Sequence, residues 1–282
     1  MELEYASDPP YPVQSISVYG QKICYYDVGT GPVIVLLHAM ANTALSTWGK
    51  VIAPLTETHR IVAMDQIGFG ASDKPSIEFR IQTFVEFLGE FLLLQKIEQF
   101  ILAGQSLGGW IAAQYTIQAL QSDESPSGSS DKMPIPSKLL LSDAAGLRMQ
   151  ISDDVLHGSL PDSISTQKET MKSTVYDQAL INDEMARKKF ISRLAANDGL
   201  TIRSLLSALQ ASAEWLDEQL HHITIPTLVT WGAEDRIVPL TLGKHLAAHI
   251  PNAKMAIIEQ CGHEPMNEKP DVFLANIREF IG

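Results

Sequence analysis

Short, nearly unbroken apolar runs punctuate the chain at Val33 to Leu37, Ile61 to Met64, Phe100 to Ala103, Leu139 to Leu141, Thr227 to Trp231 and Met255 to Ile258. A strand with one wet face alternates apolar and polar positions, whereas a strand covered on both faces stays apolar, so these runs predict buried strands. Between them the apolar spacing becomes helical, as in Phe84 to Gln95 and Trp110 to Leu120. Strand and helix in alternation predict an α/β architecture, a mainly parallel sheet flanked by helices. Upstream, Ser15 to Val18 and Ile23 to Asp27, joined by Tyr19-Gly20-Gln21, predict an antiparallel hairpin at the sheet's edge.

Two segments break the alternation. Ser122 to Ser137 is rich in Ser, Pro and Asp without apolar periodicity, which predicts a surface loop between a helix and the next strand. From about Leu147 to about Glu214 no β-rich run occurs, but Asp183 to Leu194 and Thr201 to Ser212 are patterned as helices. This predicts a helical insertion of roughly seventy residues, too small to be a large independent domain and large enough to cover a site. The expected division is a core over 1–146 and 216–282, interrupted by a cap over 147–215.

Composition narrows the function classes. With 33 acidic against 21 basic residues the formal charge is −12, which repels polyphosphates and argues against a nucleic-acid or anionic-membrane partner. Cys24 and Cys261 form no CxxC pattern and are expected to be reduced, structural thiols. The start Met1-Glu2-Leu3-Glu4-Tyr5 lacks the basic and apolar segments of a secretion signal, and no apolar run reaches spanning length, so a cytoplasmic location is expected. No HExxH or clustered-ligand spacing occurs, so neither a metal nor a cofactor is expected. Oligomeric state leaves no signal.

The most specific motif is Gly104-Gln105-Ser106-Leu107-Gly108-Gly109, between the strand-like Phe100-Ile101-Leu102-Ala103 and the helix-like Trp110-Ile111-Ala112-Ala113. It matches G-x-S-x-G in the strand, turn and helix context that projects a nucleophilic serine from a sharp elbow. Glycines two residues either side relieve crowding at such a turn. The following helix would turn backbone N–H groups toward a developing oxyanion, with Leu107 N–H as the first donor.

With Leu36-Leu37-His38, Asp65-Gln66-Ile67-Gly68-Phe69-Gly70-Ala71-Ser72, Trp231-Gly232-Ala233-Glu234-Asp235 and Gly262-His263-Glu264-Pro265 in order around the elbow, the chain resembles the α/β-hydrolase superfamily, in its capped esterase and carbon-carbon hydrolase branch. The resemblance covers nearly the whole chain and implies an α/β-hydrolase fold with a helical cap. A serine hydroxyl needs an imidazole to take its proton and a carboxylate to set the tautomer. His263, after Ser106 and just past a strand, is the expected base. His221, His222, His245 and His249 lie in polar or helical surroundings, and the family motif gives His38 a structural role. Asp235, in the loop closed by Arg236-Ile237-Val238-Pro239, is the expected acid, with Asp143 as its rival because some relatives carry the acid there. Glu234 reads as a solvated neighbour, and Asp65 to Pro75 as a supporting loop without chemistry.

The second oxyanion donor is expected at Met40 N–H. The family pair is His-Gly, whereas this chain has His38-Ala39, and alanine resists backbone angles that glycine accepts. The expected activity is hydrolysis of a small-molecule carboxylic ester with small to medium acyl chains through an acyl-enzyme, as by a carboxylesterase. Carbon-carbon cleavage of a dienoic diketone and non-catalytic binding of a small ligand are the alternatives. Ala39-Met40-Ala41-Asn42-Thr43 stands where carbon-carbon hydrolases carry a Ser-Gly-rich stretch, which favours the ester, although Arg148 or Arg193 are candidates to bind a carboxylate. Trp110, Met40, Leu205, Leu206 and Trp215 are candidates to line the pocket.

Overall fold

A computed structural model of the protein describes residues 10–124, 132–149, 159–211 and 214–282. Each apolar run is a strand, and the hairpin is present. β1 (Gln14–Val18), β2 (Gln21–Val28), β3 (Val33–Leu37), β4 (Arg60–Met64), β5 (Phe100–Gln105), β6 (Lys138–Ser142), β7 (Thr227–Gly232) and β8 (Ala253–Ile258) form one eight-stranded sheet in the order β1-β2-β4-β3-β5-β6-β7-β8. The β1–β2 and β2–β4 pairs are antiparallel, and the rest are parallel. Strand ends exceed the apolar runs by a residue or two, because polar residues such as Gln105 and Ser142 still pair in the ladder.

Alternate residues of the central strands feed two cores. Val35, Leu37, Leu102 and Leu141 pack beneath α2 (Ile81–Leu94) and α3 (Leu107–Glu124), while Ile34, Leu36, Ile101 and Leu140 pack against α1 (Ala44–Leu55). This is why the runs are apolar throughout: neither face meets water. Burying one such aliphatic side chain stabilises the fold by about 1.5–3 kcal/mol. Helix α1, amphipathic with Trp48, Val51, Ile52 and Leu55 buried, and four helices described below were not expected from the sequence.

Between β6 and β7 lie α4 (Ile164–Thr174), α5 (Asp183–Ala196) and α6 (Gly199–Ala211). The last buries Ile202 and Leu205 in the same core as Phe79 and Trp110, and Phe79 N donates to Ser204 Oγ at 2.7 Å. It therefore seats the insertion on the sheet's helical layer. Gln167 and Ala186 are the buried residues of α4 and α5, so those two helices stand out from the body. The expected loop over 122–137 is partly helix, since α3 runs to Glu124, and its far end is tied down by a 2.8 Å bond from Tyr115 Oη to Pro134 O. Residues 125–131, Ser212 and part of the expected cap segment lie outside the described residues. Among the described residues no helix is long and apolar enough to cross a membrane.

The chain closes with α7 (Leu240–His249), β8, the single turn α8 (Pro265–Glu268) and α9 (Pro270–Ile281). Register then decides where chemistry collects. Leu37 pairs with Gly104, Gln105 with Ser142, Ser142 with Thr230 and Gly232 with Ile258, so five strands end at one edge of the sheet. Ligands of open α/β sheets bind beyond that carboxyl edge.

Candidate active site

At the end of β5, Ser106 adopts φ +53°, the left-handed region that non-glycine residues rarely occupy. The turn is held by Ser106 N donating to Ser142 O at 3.0 Å, and by Ser106 O accepting from Trp110 N at 3.1 Å and Ala145 N at 3.0 Å. Gly108 lies flat against the backbone carbonyls of Leu37 and His38, where a Cβ would collide, so the glycine sets how closely α3 approaches β3. Leu107, the first residue of α3, is buried directly behind the serine.

His263 lies five residues past β8, and its Nδ1 is 2.7 Å from Asp235 Oδ2. The other oxygen, Asp235 Oδ1, accepts from Ile237 N at 2.7 Å and Val238 N at 3.0 Å, which fixes the carboxylate plane. With Nδ1–H given to Asp235, the imidazole turns Nε2 away, the tautomer a base would need. Burial opposes charging of His263, but the negative charge of Asp235 and their hydrogen bond outweigh it and raise the pKa to about 9.

Asp143 is close by but not bonded to His263. Its Oδ1 accepts from Gly232 N at 2.8 Å, and its Oδ2 is 2.8 Å from Ser142 Oγ. Complete burial, and then the charge of Asp235, push its pKa well above the usual carboxylate range. The ligating atoms of Asp143, Asp235 and His263 lie within 4.8 Å of one another, and the bonds just described account for that proximity.

The loop after β3 answers the question raised by Ala39. The strained residue is Ala41, at φ +61°, and Ala39 has no positive φ. Buried His38 turns its Nδ1 to Ala39 O at 2.7 Å, while its Nε2 accepts from Gln66 N at 3.0 Å. A trans peptide points its N–H opposite its C=O, so pinning Ala39 O also aims Met40 N–H. Burial lowers the His38 pKa and keeps the ring neutral for this role.

Ser106, His263, Ala39, Met40 and Ala41 line one cavity of about 750 Å³, roofed by cap residues including Met171, Ile181 and Lys189. Tyr176, Leu180 and Met185 also line it and remain exposed, giving it an apolar rim. Of the residues expected to line the pocket, only Met40 does so. Trp110 is buried and stacks on Trp215 with ring centroids 4.7 Å apart, and Leu205 and Leu206 are core residues. Arg148 is exposed and does not line the cavity, whereas Arg193 does line it and is bonded to buried Asp198.

Several supports escaped the sequence reading. Glu234 is not a solvated neighbour: its Oε2 accepts from Cys261 N at 3.0 Å and ties the Asp235 loop to the His263 loop. Gln105 Nε2 donates to His263 O at 2.8 Å. Glu268 accepts from Gly262 N, Glu264 N and the cap residue Tyr176 N, while His263 N donates to Thr174 O at 2.7 Å. Most of these bonds end on backbone groups, which carry no mark in the sequence. Asp65 does act as a support, accepting from Ala44 N and Ala71 N at 2.8 Å each.

Residues 34–276 match the model of the alpha/beta hydrolase family. A 2-hydroxy-6-oxo-2,4-heptadienoate hydrolase of Pseudomonas putida is 24% identical over 267 residues, covering 91% of each chain. Among solved structures, a meta-cleavage product hydrolase from Pseudomonas fluorescens superposes with a TM-score of 0.83 at 25% identity, over 95% of this chain and 97% of that one. An esterase from a Rhodococcus species superposes with a TM-score of 0.77 at 24% identity, over 95% and 98%.

Proposed function

Because the chain belongs to the alpha/beta hydrolase family and has its fold, we propose that it is a serine hydrolase that cleaves carboxylic esters of small to medium acyl chain, with Ser106 as nucleophile, His263 as base and Asp235 as acid. The observation that carries this is His263, paired at 2.7 Å with Asp235, lining one cavity with an elbow serine in the left-handed region. His263 Nε2 takes the proton as Ser106 Oγ attacks the ester carbonyl, and Leu107 N–H and Met40 N–H receive the oxyanion. The protonated imidazole then gives its proton to the departing alcohol oxygen. Water, deprotonated by the same imidazole, hydrolyses the acyl-enzyme. The apolar rim at Tyr176, Leu180 and Met185 suits an acyl chain entering from solvent.

One observation favours carbon-carbon cleavage as the second reading. Lys189 lines the cavity, donates to Asn42 Oδ1 at 2.8 Å and makes no ion pair among the described residues, so its ammonium is available to an anionic substrate end. Burial lowers its pKa, and an incoming carboxylate would reverse that shift. Nitrophenyl esters from acetate to palmitate, assayed beside a 2-hydroxy-6-oxo-dienoate, separate the readings. Ester turnover highest between acetate and octanoate is expected. Faster turnover of the dienoate, with a KM that rises selectively in Lys189→Met, would replace the ester reading.

The base role fixes the pH profile. Below about 9 His263 is mostly protonated, so kcat/KM should climb about tenfold per pH unit from pH 6 and level off above 9. Stability moves the other way. A raised imidazole pKa stabilises the fold fully below the unfolded value of about 6.5, and that contribution is lost as pH rises through about 9. A plateau in kcat/KM already reached at pH 7 would remove Asp235 as the group that holds His263 charged.

A further inference from the structure

The cap touches the loop that carries Met40 N–H through Lys189, which donates to Asn42, and through Arg193, whose own position is fixed. Arg193, in the last turn of α5, donates from Nη1 to Ala41 O at 3.0 Å. Its Nη1 and Nη2 also grip Asp198 Oδ2 and Oδ1 at 2.6 and 2.8 Å. Asp198 is 2% exposed, so the guanidinium is a fork aimed from a dry anchor at a single carbonyl. That carbonyl belongs to the residue at φ +61°, one position past Met40 and without glycine's freedom. On its other flank the loop is pinned by His38 through Ala39 O.

We propose that Arg193, aimed by Asp198, is a positioning residue that holds Ala41 in its left-handed conformation and thereby keeps Met40 N–H directed at the oxyanion. The proposal rests on the reading of Met40 N–H as an oxyanion donor. It assigns the cap a part in assembling the catalytic loop, beyond covering the substrate. Arg193 also lines the cavity, and three of the guanidinium's donor contacts go to protein groups, as a strut requires. A loop braced on both flanks can hold Ala41 at a positive φ where an unbraced one would favour Gly.

The test uses the intact chain with Arg193→Lys, Ala41→Gly and the pair combined. Lysine keeps a cation beside buried Asp198, so folding is preserved, but its ammonium stops one bond short of the Nη1 that touches both Asp198 and Ala41 O and lacks the fork that fixes the guanidinium. With nitrophenyl butyrate, Arg193→Lys is expected to lower kcat by about tenfold to a hundredfold, a share of what a lost oxyanion donor costs, and to leave KM within about twofold. Adding Ala41→Gly should restore most of that loss, because glycine holds the conformation without the strut. Arg193→Met with Asp198→Asn, which removes the charge pair together, should reproduce the fall in kcat. Amide exchange across residues 38–43 should quicken in Arg193→Lys. Unchanged kcat and exchange, a change confined to KM, or no recovery with Ala41→Gly would each overturn the proposal. If the wild-type protein shows no Ser106-dependent turnover, the hydrolase reading falls, and exchange alone still decides whether Arg193 holds the loop.

Discussion

Ser106→Ala is expected to lower the turnover of every accepted ester by about six orders of magnitude, the scale seen when a serine hydrolase loses its nucleophile. At the elbow the backbone holds φ +53° through bonds to Ser142, Trp110 and Ala145 that do not involve the hydroxyl, so alanine should leave the turn and the cavity intact. What is lost is the oxygen that forms the acyl bond. Rapid mixing of wild type with a nitrophenyl ester should show a burst of nitrophenolate equal to the enzyme present whenever deacylation is the slow step, and the variant should show none. Its thermal unfolding should match wild type. More than about one hundredth of wild-type activity in a correctly folded Ser106→Ala protein would sink the assignment of the nucleophile.

The sheet was legible in the sequence because its central strands are buried on both faces, and burial of that kind leaves short β-branched apolar runs such as Val33 to Leu37, set apart from helices by their length and their alternation with helical patterns. Ser106, Asp235 and His263 each lie within five residues of a strand's carboxyl end, so a strand map places them at one edge. The bonds that orient them were not legible. Gln105 reaches His263 O, Glu268 reaches Tyr176 N, and Arg193 reaches Ala41 O, across separations of up to 158 residues. Specificity for a backbone group leaves no partner residue to find. Ala39 drew attention because it departs from a family pair, yet the strain had moved to Ala41, where only the pattern of hydrogen bonds reveals it. The basicity of His263 was hidden for a related reason: an imidazole's ordinary pKa applies to water, and this one is buried against a carboxylate.

The choice between Asp235 and Asp143 turns on which carboxyl holds the imidazole, and it yields the second large effect. Asp235 Oδ1 accepts two backbone N–H groups while Oδ2 faces His263. Asp143 is held instead by Gly232 N and Ser142 Oγ, and burial and then the charge of Asp235 push its pKa well above the usual carboxylate range. Asparagine is nearly isosteric with either carboxyl but carries no charge to set against an imidazolium. Asp235→Asn is therefore expected to lower kcat by about four orders of magnitude, since the amide cannot hold the imidazole in the required tautomer or stabilise its cation. Asp143→Asn should stay within about tenfold of wild type. The proposed mechanism also predicts how the pH profiles diverge. Without the Asp235 charge His263 loses its main source of raised basicity, so the residual activity of Asp235→Asn should level off well below pH 9. In Asp143→Asn the rise should persist to nearly the same pH, because Asp143 ranks below Asp235 among the groups that raise His263. A collapse of turnover in Asp143→Asn with only a mild loss in Asp235→Asn would instead make the carboxyl at the end of β6 the acid, and would require the 2.7 Å His263–Asp235 contact to open during turnover.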